Sequence, residues 1–224
     1  MTEPRTDTVA DPRFRHLPDS LWKSLLLRAI PVLIGAMVIT FSPDHSPRFG
    51  FTVFGAVLLW TGVIVGFESV GIPNHPVRPL VFARSILTAV TGGFSLFMAT
   101  GGHDWATAQA FILTVSIWAI ITGLIELAGV PICRRKRFYA SEILLSGALT
   151  LLLGVIVAFV PPDLDAEYGG LEQIEGSLTA SVQAVGFVGA YFAVLGVLLV
   201  IEAISLRNAL SRRDRELAQE ENRK

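Results

Sequence analysis

The chain has 224 residues, of which 52% are hydrophobic and only 17% are charged, and its formal net charge is −1. Together with a mean hydropathy of +0.58, this composition excludes an ordinary water-soluble domain of the same size. We therefore predict an integral membrane protein.

The N-terminal residues 1–20 are rich in proline, aspartate, threonine and arginine, and we predict a disordered cytoplasmic tail there. Six apolar stretches follow, each about as long as the 20 residues that a helix needs to cross a hydrocarbon core of about 30 Å. The predicted spans are Leu21 to Phe41, Phe49 to Val70, Leu80 to Thr100, Trp105 to Val130, Phe138 to Val160 and Val182 to Leu206. No cleavage site follows the first span, so we expect it to remain in the mature protein. Such long runs exclude a membrane barrel and predict an all-α polytopic fold.

The second and fourth spans share a spaced pattern. In WTGVIVGFESVGIP (Trp60 to Pro73) and in WAIITGLIELAGVP (Trp118 to Pro131), tryptophan is followed by glutamate, glycine and proline at the same intervals. A diverged third copy places Glu202 in the sixth span. The transmembrane domain, residues 21–207, is therefore predicted to consist of three two-helix hairpin repeats.

The basic residues predict the orientation. If the N-terminus is cytoplasmic, 17 of the 18 lysines and arginines lie on the inner side, and Arg48 alone lies outside. The positive-inside rule therefore places both termini in the cytoplasm. The outer loops are acidic, but their carboxylates lack the spacing of a calcium loop, so we predict solvated loops and no metal site.

Charged residues occur close to the cytoplasmic ends of the predicted helices. Glu68 and Glu126 lie at the C-terminal ends of the second and fourth spans, while Arg28 and Arg84 lie in the first turns of the spans before them. Each charge is unfavourable for the dipole of its own helix. Antiparallel packing would bring Arg28 to Glu68 and Arg84 to Glu126, so we predict intramembrane ion pairs. A structural role is favoured over a transport route.

The third hairpin has an acid where the others have arginine. Glu142 and Glu202 are predicted to lie at one depth. Either they take cations from residues 134–137 and from Arg207, or one of them remains protonated. The first alternative is favoured because several basic residues are within reach.

Small residues recur at four-residue spacing in the predicted spans. Such spacing lets helix backbones approach closely in lipid. The candidate packing positions are Gly62, Gly66, Gly123 and Gly186. We expect these faces to pack the bundle, and the same faces could join a homo-oligomer or a second membrane protein.

No catalytic, cofactor-binding or metal-binding pattern occurs in the sequence, so a non-enzymatic protein is expected. Residues 208–224 form a charged C-terminal tail, which we predict to extend the sixth span as a cytoplasmic helix that then frays. Its arginines are predicted to contact anionic inner-leaflet lipid. This pattern indicates membrane anchoring and not nucleic-acid binding.

The helix ends and loops resemble those of the HdeD-like family of bacterial acid-resistance membrane proteins. The resemblance is carried by FSPD after the first span, by ITGLIELAGVPICRRKRFY (Ile121 to Tyr139) and by GALTLLLGVIVAFVPPD (Gly147 to Asp163). It implies a multi-pass protein of the bacterial cytoplasmic membrane that is associated with acid or envelope stress.

Two other functions compete with this one. A small transporter or channel for protons or a small solute would need a polar path, but the middles of the spans offer only serine and threonine as common polar groups. A scaffold that binds another membrane protein through its small-residue faces fits the same residues.

Overall fold

The fold comes from a computed structural model, which describes residues 21–71, 76–101, 105–135, 140–167 and 177–221. The predicted tail at residues 1–20 lies outside the described residues. The described part contains six helices, α1 (Leu21–Phe41), α2 (Pro47–Gly71), α3 (Arg78–Thr100), α4 (Ala108–Arg135), α5 (Ala140–Ala158) and α6 (Ala180–Glu221). This confirms the prediction of an all-helical chain, and each helix overlaps one predicted span.

Five of these helices, α1 to α4 and α6, are long and apolar enough to cross a membrane. The apolar part of α5, Ile143–Ala158, is shorter. Sixteen residues extend about 24 Å at 1.5 Å per residue. The helix therefore reaches most of the way across a hydrocarbon core of about 30 Å.

The outward faces of the helices are strongly apolar. On α1, large apolar side chains recur every three or four residues on the outer face and are more than half exposed. They are Ile30 (54%), Ile34 (55%), Met37 (60%) and Phe41 (79%). Ala29, Val32, Ala36 and Ile39 on the opposite face are buried. A folded helix with large apolar side chains on its outer face is suited to contact with lipid tails.

The helices form a closed ring in which α1 packs against α6. The most extensive contacts join α2 to α3, α4 to α5 and α1 to α6, while the contacts of α1 with α2, of α3 with α4 and of α5 with α6 are smaller. The even-numbered helices also contact one another. They therefore line the centre of the bundle, and the closest packing joins helices from different predicted hairpins.

A short β-hairpin precedes α6. Strand β1 (Asp165–Glu167) pairs antiparallel with β2 (Ser177–Thr179), with Asp165 opposite Thr179. From the sequence, this segment is predicted only as part of an acidic outer loop. Three-residue strands are too short to produce a recognisable alternating pattern.

Helix α6 is much longer than its predicted span. Its 42 residues extend about 63 Å at 1.5 Å per residue, twice the thickness of a hydrocarbon core. At the end of the span and just beyond it, Leu206 and Leu210 are buried against Leu21, Trp22 and Leu25 at the start of α1. The segment that we predicted as a helical extension of the sixth span is therefore a continuation of α6, and its first part packs on α1.

Candidate functional site: a buried polar cluster

The first buried ion pair joins α1 to α2. Arg28 Nη1 lies 3.7 Å from Glu68 Oε2, and the side chains are 11% and 17% exposed. The hydroxyl of Ser24, one turn before Arg28 on α1, donates a hydrogen bond to the other Glu68 oxygen. Two consecutive turns of α1 therefore supply the partners of one carboxylate on α2.

The second pair joins α3 to α4 and is closer. Arg84 Nη2 lies 2.7 Å from Glu126 Oε1, and the glutamate side chain is only 3% exposed. Ser146 on α5 donates a hydrogen bond of 2.8 Å to Glu126 Oε2. The Arg84 contact is a close charge contact without the alignment of a hydrogen bond, because Glu126 Oε1 has no hydrogen-bond partner among the described residues.

The charges of the third predicted hairpin are less fully described. The backbone of Glu142 belongs to α5, but its side chain lies outside the described residues, as do those of residues 134–137. Glu202 is half-buried on α6 and has an interaction partner. The expectation that these two acids share one level and take nearby cations therefore stays a prediction.

The two tryptophans of the repeated pattern each point toward the preceding helix. Trp60 Nε1 lies 3.4 Å from the Leu27 carbonyl oxygen on α1, and Trp118 Nε1 donates to Thr88 Oγ1 on α3 at 3.3 Å. Their burial differs, because Trp60 is 52% exposed and Trp118 is 5% exposed. The two tryptophans hold the same place in the repeated pattern and each points toward the helix before its own, but only Trp118 is buried.

Aromatic side chains from the three central helices fill the middle of the bundle. We call this set the aromatic core, and its members are Phe51 and Phe54 on α2, Phe111 and Trp118 on α4, and Tyr191 and Phe192 on α6. The rings of Phe54 and Trp118 meet edge to face at 5.3 Å, and those of Phe51 and Phe111 do so at 5.1 Å. Such contacts favour tight packing, so the centre is closed at this level.

A small cavity lies between the aromatic core and the ion pairs. Its volume is about 20 Å³, which is enough for one or two water-sized particles. Its polar lining comes from five helices and consists of Arg28, Thr61, Arg84, Thr88, Trp118, Thr122 and Tyr191. We call it the polar cavity.

Some polar atoms of this lining have no partner. Arg28 Nε, Thr61 Oγ1 and Thr122 Oγ1 are fully buried and make no hydrogen bond to any described residue. Tyr191, by contrast, shares a hydrogen bond of 3.0 Å with Thr150. A buried polar group without a partner is costly, so three of them around one cavity require an explanation.

The predicted packing glycines fall into three groups. A methyl group at Gly62 would lie 2.5 Å from the Ala89 backbone nitrogen on α3, and one at Gly123 would lie 2.7 Å from the Leu151 nitrogen on α5. Gly66 makes only ordinary contact, 3.5 Å from Ser85. At Gly186 no described residue lies within 4 Å of an added methyl group, so this glycine makes no close helix contact within the described bundle. Gly189, three residues later, faces Ile39 on α1 instead.

Two close helix contacts are built alike. In α2 and α3, Gly62 faces Ala89 while Gly92 faces Leu59, and in α4 and α5, Gly123 faces Leu151 while Gly154 faces Ile120. In each contact, the glycine of one helix lies against a residue three positions before the glycine of the other. This reciprocal arrangement explains why α2 with α3 and α4 with α5 are the most closely packed pairs.

The sequence analysis did not identify the polar cavity. Serine and threonine were noted only as scattered polar groups, and the signal available was the presence of Thr61, Thr88 and Thr122 in apolar spans near the charged positions. Within the described ranges, no three histidine, cysteine, aspartate or glutamate side chains come close enough to hold a metal ion. The site offers paired charges and free hydrogen-bond donors.

The long apolar helices and their exposed apolar faces indicate a multi-pass membrane protein. Comparisons with protein-family models, with curated proteins and with solved structures found no match to the chain.

Proposed function

We propose that the chain is a non-enzymatic protein of the bacterial cytoplasmic membrane with six spans and both termini in the cytoplasm, and that it acts in resistance to acid or envelope stress. The observation that carries the membrane part is the set of long helices with exposed apolar faces, inside which Arg28 pairs with Glu68 and Arg84 pairs with Glu126. Charges inside a membrane are costly unless they are paired. The stress role rests on the resemblance to HdeD-like proteins.

The aromatic core favours this role over that of an open channel. Phe51, Phe54, Phe111 and Phe192 are each at most 1% exposed. They fill the centre where the three even-numbered helices meet, so a continuous aqueous path along the bundle axis would require these rings to move. A packed bundle with neutralised charges is suited to a structural role.

The orientation is tested by labelling single cysteines in intact cells. In a Cys133→Ala background, Asp163→Cys should react with a membrane-impermeant maleimide, since residue 163 is exposed before β1. Ser211→Cys, exposed on the α6 extension, should react only after the membrane is permeabilised. The reverse pattern would contradict the proposed orientation, and reaction of both residues in intact cells would mean that α6 does not cross the membrane.

The stress role is tested by deletion of the chromosomal copy. We expect the deletion strain to survive acid or envelope stress less well than its parent, and expression of the wild-type chain should restore survival. Membrane levels of the protein must be measured in parallel, so that loss of function is separated from loss of protein. Equal survival of the deletion strain and its parent under both stresses would remove the proposed role.

A further inference from the structure

We propose that the polar cavity binds one small monovalent anion of about the size of chloride, held between Arg28 and Arg84. The inference starts from the three unpartnered groups described above. Arg28, Thr61 and Thr122 are 9%, 9% and 1% exposed, and each has a polar atom without a partner. All three line the same cavity, so one guest could satisfy them together.

The free hydrogen-bonding groups around the cavity can all act as donors. Arg28 Nε carries a hydrogen and no lone pair, and a threonine hydroxyl can always donate. Thr88 Oγ1 already accepts from Trp118 Nε1, so its own hydrogen remains available. Four N–H or O–H groups that line one cavity are therefore available to donate to a single guest, and the two guanidinium charges of the lining disfavour a cation.

The distribution of charge favours an anion over water. Both guanidinium groups belong to the lining, whereas neither Glu68 nor Glu126 is among the described lining residues. The carboxylates contact the Nη atoms of the two arginines, so each ion pair presents its positive partner to the cavity. Charge-assisted hydrogen bonds in such surroundings are about twice as strong as neutral ones.

The size of the cavity sets the class of anion. A volume of about 20 Å³ accommodates a particle of about the size of a water molecule or a halide. Phosphate and sulfate have five heavy atoms and are too large. Each arginine of the lining is already paired with one glutamate outside it, so the remaining positive charge at the cavity suits a single negative charge better than two.

Trp118 supplies a direct probe, because its indole lines the cavity and bromide quenches tryptophan fluorescence on contact. In the purified full-length protein, titration with bromide at constant ionic strength, with gluconate as the replacement, should give a saturable component of quenching. Trp118→Phe should remove that component. Strictly linear quenching in the wild-type protein, without saturation, would overturn the proposal, because it would leave only collisional contact.

Paired variants identify the donors. Thr61→Val with Thr122→Val removes two hydroxyls at constant shape and leaves both ion pairs intact, and it should weaken bromide binding at least about tenfold. The matched control is Ser95→Ala with Ser116→Ala, which removes two other buried, unpartnered hydroxyls that are not among the cavity's lining residues. This control should bind bromide like the wild type. Equal binding by both double variants would overturn the assignment.

If the double threonine variant does not fold, the wild-type protein decides the question. In crystals grown in sodium bromide, anomalous scattering should show one peak between the guanidinium groups of Arg28 and Arg84. A cavity without an anomalous peak at saturating bromide would hold water only and would overturn the proposal.

Discussion

Replacement of Glu126 by methionine should lower the free energy of unfolding by about 3 kcal/mol. The side chain is 3% exposed and lies 2.7 Å from Arg84, so its removal leaves a largely buried guanidinium without its partner. Ser146 loses its acceptor as well. The measurement is equilibrium unfolding of the purified protein in mixed detergent micelles, followed by circular dichroism.

The double variant Arg84→Met with Glu126→Met provides the matched control. With both charges removed, no unpaired charge remains, and stability should return to within about 1 kcal/mol of the wild type. Glu68→Met should cost less than Glu126→Met, because the Arg28 contact is longer, at 3.7 Å, and its carboxylate is 17% exposed. A double variant no more stable than Glu126→Met alone would contradict the ion-pair explanation.

The same variants separate the structural role from transport. If Glu68 and Glu126 carry protons or a solute, their neutralisation should abolish pH-dependent flux in liposomes while stability in detergent is unchanged. Lowered stability is the result expected here, because both carboxylates have arginine and serine partners on neighbouring helices. Unchanged stability together with lost flux would favour the transporter alternative.

Replacement of Gly62 by alanine should destabilise the bundle by about 1–3 kcal/mol, the usual cost of overpacking. The added methyl group would lie 2.5 Å from the Ala89 backbone nitrogen and 2.8 Å from its Cα. Because the atoms in the way are backbone atoms, the clash is relieved only if α2 and α3 move apart. Gly123→Ala should behave similarly, with Leu151 on α5 as the obstacle. Thermal unfolding of the purified variants measures both effects.

Gly186→Ala is the matched control for these substitutions. It lies in α6, where no described residue is within 4 Å of the new methyl group. Alanine is the better helix former by about 1 kcal/mol, so stability should stay the same or rise slightly. Equal destabilisation by Gly62→Ala and Gly186→Ala would contradict this explanation. It would mean that the loss of stability comes from reduced helix flexibility and not from close backbone contact.

The sequence by itself determined the helical class and the approximate helix positions. Residues 21–41 were predicted as the first span and form α1 without any shift in bounds. This is possible because the requirement for apolar side chains over about 20 residues is local and independent of neighbouring helices. The level shared by Arg28 and Glu68 could likewise be anticipated, since both lie near the same end of antiparallel helices.

The tertiary structure alone decided which faces meet. Gly62 and Gly186 both belong to small-residue patterns in apolar helices, yet only the first lies against a backbone. The rotation of a helix about its own axis depends on the packing of all its neighbours. A pattern of small residues identifies a face that can pack closely, but it does not identify the helix that packs there.

The polar cavity could not be predicted from the sequence for a related reason. Thr61, Thr88 and Thr122 lie on three different helices and converge only because the ring closes around the even-numbered helices. Whether a buried hydroxyl has a hydrogen-bond partner depends on which other helices pack around it. The cavity and its free donors can therefore be identified only in the folded bundle.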